Sequence, residues 1–151
     1  MIGLGFGLLW LIVGASALAA PSRWIVVAFG AALYAGGAAI VVRRHRGVPR
    51  IRMRWGYYIA AVAAEIIAIA AAQAWLQQRG LGDLLFPVVG VIVGLHFIGL
   101  WAAMAHRRFL WLSGGLVASN FATLILPLAT PQRIMMSGLG SSLILLGSAL
   151  A

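Results

Sequence analysis

Almost the whole of this chain consists of apolar runs about 18 to 22 residues long, separated by short connections that carry arginine, glycine or proline. A helix rises about 1.5 Å per residue, so such a run matches a hydrocarbon core about 30 Å thick. With 64% hydrophobic residues and a mean hydropathy of +1.06, a chain of 151 residues has no interior large enough to hide its apolar surface from water. The sequence therefore specifies an all-α, polytopic integral membrane protein.

Six spans are expected, at about 2–20, 24–42, 55–76, 84–105, 109–128 and 134–151, forming one transmembrane domain. Pro21-Ser22-Arg23 closes a tight hairpin between the first two. Residues 43–54 are the one extended polar stretch, with six arginines: Arg43, Arg44, Arg46, Arg50, Arg52 and Arg54. Gln77 to Asp83, His106-Arg107-Arg108 and Ala129 to Arg133 supply the remaining turns. The absence of a basic residue before the first run, and its length, favour a retained span over a cleaved leader.

The arginines fix an orientation. If the chain starts inside, the loops after the second and fourth spans are cytoplasmic, and these hold eight of the eleven basic residues. Arg23, Arg79 and Arg133 fall one to each external loop, so both termini are expected in the cytoplasm. The +9 formal charge does not point to nucleic acid, because the arginines punctuate apolar spans and build no solvated basic face. Basic loops beside spans instead touch anionic lipid headgroups. Arginine without lysine, with abundant alanine and glycine, suits a GC-rich bacterial coding sequence and hence the bacterial inner membrane.

Sliding the chain against itself by 85 residues pairs Gly5 with Gly90, Gly14 with Gly99, Arg23 with Arg108 and Gly30 with Gly115. Three helices per half would make the second half an inverted copy, an architecture common among transporters. In a chain of nineteen glycines such matches arise readily by chance, as do the Gly3/Gly7 and Gly90/Gly94 pairs at helix-contact spacing.

Polar side chains at depth carry the functional signal, because each costs about 2.5–3.5 kcal/mol at the centre of a span. Glu65 stands near the middle of the third span, on a face with Tyr58, Ala61, Ala68 and Ala72 that lets another helix approach. His96 in the fourth span and Asn120 in the fifth share its depth. Were the three helices neighbours, carboxylate, imidazole and amide would meet near the midplane, where a proton could pass between Glu65 and His96 near neutral pH. The alternative is that the three side chains satisfy one another and fix helix register. Ser113, Thr123 and Pro127 lie near the Asn120 face; Pro127 should kink the fifth span, and Tyr58, Ser113 and Thr123 are candidate cavity-lining groups. Pro87 reads as a first-turn proline. Trp24, Trp55 and Trp75 mark interfaces, while Trp10, Trp101 and Trp111 lie deeper.

Residues 86–99, ending Gly94-Leu95-His96-Phe97-Ile98-Gly99, with His106-Arg107-Arg108-Phe109 after them, resemble a stretch of small six-helix bacterial membrane proteins of no established activity. Their pattern runs Gly-Leu-His-Phe, a hydrophobic residue, then often proline, where this chain has Gly99. The resemblance covers about a quarter of the chain; it implies the six-helix fold and singles out His96.

The absence of cysteine excludes disulfides, thiol catalysis and thiolate metal sites. No phosphate-binding loop, HExxH, nucleophile elbow or carboxylate pair is present. His45 and His106 lie in loops away from His96, which disfavours a two-histidine haem, so no cofactor or metal is expected and an enzyme is the less favoured class. The expected function is transport or permeation of a proton, small ion or small amphipathic solute at a site of Glu65, His96 and Asn120. The alternative is a non-catalytic structural, assembly or lipid-interacting subunit, with membrane lipids, a second copy or a larger membrane protein as partner.

Overall fold

A computed structural model describes residues 2–44 and 53–150, and all regular structure among them is helical. The helices are α1 (Ile2–Ser16), α2 (Ala20–Arg44), α3 (Trp55–Gln78), α4 (Leu85–Met104), α5 (Arg108–Ile125) and α6 (Thr130–Leu150), with a 3₁₀ turn at Gly82–Leu84 before α4. The stretches Ala20–Ile40, Trp55–Gln78 and Gly82–Met104 are long and apolar enough to cross a membrane. Gly5–Ser16 is apolar but shorter. Six polar residues of α5 and α6 are turned inward: Ser113, Asn120, Thr123, Ser137, Ser141 and Ser142 are all buried.

The helices form two compact units, residues 1–49 with 128–151, and residues 50–127. These are not the halves of the sequence, because α6 packs with α1 and α2 while α3, α4 and α5 form the second unit.

In the first unit α1 is central, with α6 on one side and α2 on another. Glycine sets the α1–α6 crossing: a Cβ at Gly138 would fall on the Gly14 backbone, and a Cβ at Gly14 on that of Leu139. Tyr34 of α2 lays its ring over Gly7 of α1, while its hydroxyl donates to the Ser142 carbonyl of α6 at 2.6 Å. One side chain thus joins all three helices. Gly30 in turn makes room for Leu11.

Pro21 and Pro131 lie inside the first turns of α2 and α6, so both helices start earlier than the expected 24 and 134. Proline lacks an N–H that the first turn does not use, and its φ is already helical. The turn between α1 and α2 is held by Arg23, whose guanidinium donates to the carbonyls of Ser16 at 2.9 Å and Leu18 at 3.0 Å. Gln132 reaches back from the first turn of α6 to accept from the Ala129 N–H at 3.1 Å.

In the second unit α4 is central, packed on α5 and on α3. α3 ends at a left-handed Gly80 with φ +69°; the Leu81 N–H donates to the Leu76 carbonyl, and the Gly80 N–H to that of Gln77. That arrangement satisfies carbonyls at the helix end and reverses the chain into α4. Ala105, also left-handed with φ 56°, closes α4. The Arg54 N–H donates to the Ala103 carbonyl, tying the start of α3 to the end of α4 in an antiparallel pair.

Pro127 does not kink α5. The helix stops at Ile125, and Leu126 is extended with ψ 142°, the backbone that a residue preceding proline prefers.

Candidate functional site

α3 and α4 meet at Ala61 and Gly99, where a Cβ on Gly99 would collide with the Ala61 methyl. This close approach brings Glu65, one turn further along α3, to His96 of α4: His96 Nδ1 lies 3.3 Å from Glu65 Oε2. The same nitrogen lies 3.3 Å from the Ala61 carbonyl oxygen. A carbonyl can only accept, so Nδ1 carries the hydrogen and shares it between carbonyl and carboxylate. Among the described residues, Nε2 of His96 has no hydrogen-bond partner.

The pair lines a groove of about 400 Å³ whose walls are otherwise Ala61, Ala64, Ala68, Ile92, Leu95, Ile98 and Gly99. That volume lies in the range of small-molecule sites, roughly 300–1,000 Å³. The side chains of His96 and Glu65 are 10% and 12% exposed, so both are accessible from the groove yet largely removed from solvent. Ala64, Leu95 and Ile98 at its rim are exposed. An apolar wall around one acid–base pair suits an amphipathic solute, with the pair as its polar anchor. Two ligating side chains do not make a metal site, and no cluster of three or more His, Cys, Asp or Glu occurs among the described residues.

Asn120, expected beside this pair, is not brought to it. It is buried on α5 against Gly90 of α4, where a Cβ would fall on its amide, and its Nδ2 donates to the Leu116 carbonyl at 2.9 Å. Gly90 and His96 are six residues apart, which separates them by roughly a third of a turn round the helix. α4 presents Gly90, Val93, Gly94 and Phe97 to α5 and His96 with Gly99 to α3, so equal depth does not become contact.

Ser113 and Thr123 are buried on α5 and do not line the groove; the Thr123 hydroxyl donates to the Asn120 carbonyl at 2.7 Å. Tyr58 also stands outside the groove, edge-on to Trp55. Of the arginines expected at lipid headgroups, Arg43 and Arg54 are exposed, and the Arg54 guanidinium lies 4.6 Å from the centre of the Tyr57 ring. Arg46, Arg50 and Arg52, and the side chain of Arg44, lie outside the described residues. Trp24, Trp55 and Trp75 are exposed, whereas Trp10 is buried in the first unit.

Sequence reasoning missed the Ala61 carbonyl and the part played by Gly99. The signal was present: Gly99 is where the chain departs from the pattern it resembles, and Ala61 is a small residue one turn before Glu65 on the same face. Comparison of the chain with protein-family models, with curated proteins and with solved structures returns no match.

Proposed function

We propose that this is a six-span protein of the bacterial inner membrane, with both termini cytoplasmic, that passes a proton or a small solute across the bilayer by way of the α3–α4 groove. The observation that carries this reading is the Glu65–His96 contact at 3.3 Å in an apolar groove near the middle of two helices long enough to span a membrane. An ionisable pair at that depth costs stability, and most such residues line ion or substrate pathways. The arginine bias of the loops supports the orientation.

We further propose that the two units are related as an internal repeat. Each unit has a central helix, α1 or α4, and the 85-residue offset pairs Gly14 with Gly99, which seat α6 and α3 respectively. That correspondence supports two related three-helix units in which the sixth and third helices play the same role.

The test is reconstitution into lipid vesicles with an internal pH-sensitive dye, alone and with small cations and amphipathic solutes outside. Wild type is expected to move protons or solute, and Glu65→Gln and His96→Ala to abolish the movement while folded protein stays abundant. Normal flux in both variants would sink the reading. The second reading, a non-catalytic subunit, is favoured by the apolar outer faces of α2 and α3, where Ile25, Phe29, Ile59, Ile66 and Ile67 are exposed. A stoichiometric membrane partner copurified from native membrane would support it.

A further inference from the structure

The groove combines one carboxylate with walls of alanine, isoleucine and leucine, and the carboxylate's neighbour is the His96 imidazole. We infer that the groove takes a lipophilic organic monocation, an amine or quaternary ammonium with a compact apolar body, whose charge lies beside the Glu65 carboxylate. The inference rests on the permeation reading and names its solute class. No covalent bond between heavy atoms forms or breaks.

Three observations support this class over an anion or a metal ion. The acidic group of the groove is a carboxylate, which when ionised pairs with a cation and repels anions. Its remaining surface is hydrocarbon, which favours an apolar body over a hydrated inorganic ion. The volume of about 400 Å³ leaves space for a molecule of that kind beside the two polar groups. Glu65 and His96 are the only titratable residues among those lining the groove. α5, on the other face of α4, carries one charged residue, Arg108, at its first position, and the remaining charged groups among the described residues of the unit, Arg54, Arg79, Asp83 and Arg107, stand at helix ends and turns. His106 and the tyrosines Tyr57 and Tyr58 likewise lie towards helix ends, away from the groove lining.

Benzyltrimethylammonium is a suitable ligand, with neopentylbenzene as its uncharged counterpart in which carbon replaces nitrogen. Calorimetry on the full chain in lipid nanodiscs measures the binding of each ligand. Wild type is expected to prefer the cation at least about tenfold. Glu65→Gln should lose the preference. The comparison of cation with isostere uses wild type alone, so a variant that fails to fold does not blunt the test. Equal affinity for the two ligands in wild type would overturn the assignment. Glu65-dependent proton flux in vesicles with no cation binding would overturn it too, while leaving the permeation reading intact.

Discussion

At the scale of single residues, the two units depend on glycines that differ sharply in what surrounds them. The Cβ of an alanine at Gly138 would meet the backbone of α1, which cannot rotate away as a side chain can, so Gly138→Ala should destabilise the protein by about 1–3 kcal/mol through overpacking. At Gly36 a Cβ meets nothing within 4 Å, and Gly36→Ala should be neutral or stabilise by up to about 1 kcal/mol through helix propensity. Thermal melts in one detergent, compared with wild type, check both. Tyr34→Phe keeps the ring over Gly7 and removes only the hydroxyl, so its cost should be about 0.5–1.5 kcal/mol, visible in the same melts. The Glu65–His96 pair was legible from residue counting because depth along a helix follows directly from sequence position. The exclusion of Asn120 was not, since depth says nothing of the direction round the axis, and that direction is set by which face of α4 carries Gly90 and Gly94.

At the scale of elements, the apolar runs located every helix, and the errors were at the ends. Pro21 and Pro131, expected in the connecting turns, occupy the first turns of α2 and α6, and Pro127, expected to kink α5, follows its end. The common cause is that proline's effect depends on whether its missing N–H and the backbone before it fall at the start or the end of a helix. Pro127→Ala frees Leu126 to become helical, so amide exchange at Leu128 should slow relative to wild type if α5 lengthens by a turn. Unchanged exchange there would mean that contacts around the α5 end, and not proline, stop the helix. Gly80→Ala tests the opposite end of α3: with φ +69°, an alanine should cost about 1–2 kcal/mol and loosen the turn into α4.

At the scale of the whole molecule, the membrane crossing count and orientation can be read chemically because the chain has no cysteine. Single cysteines placed at Ser22, Gly80 and Gln132 should react with a membrane-impermeant thiol reagent from the periplasmic face, and those at Gly47 and His106 only after the membrane is opened. A pattern in which Gly80 and His106 label from the same side would contradict six alternating crossings. The sequence could show that helices exist, yet not that α6 returns to α1. That partnership rests on Gly14 meeting Gly138, two residues more than a hundred positions apart, in a chain where glycine is too frequent for any one pair to stand out.

The Gly14–Gly138 crossing also bears on how the protein is made. Ribosomes release α1 first and α6 last, so the second unit can close as soon as α5 emerges, while α1 and α2 wait for a partner not yet synthesised. During that interval the Tyr34 hydroxyl lacks Ser142, and the glycine surface of α1 lacks α6. The last of these six helices to be made is therefore the one that completes the first, and truncations that remove α6 should leave a nascent chain with half of its packing finished and its N-terminal hairpin open to quality-control proteases.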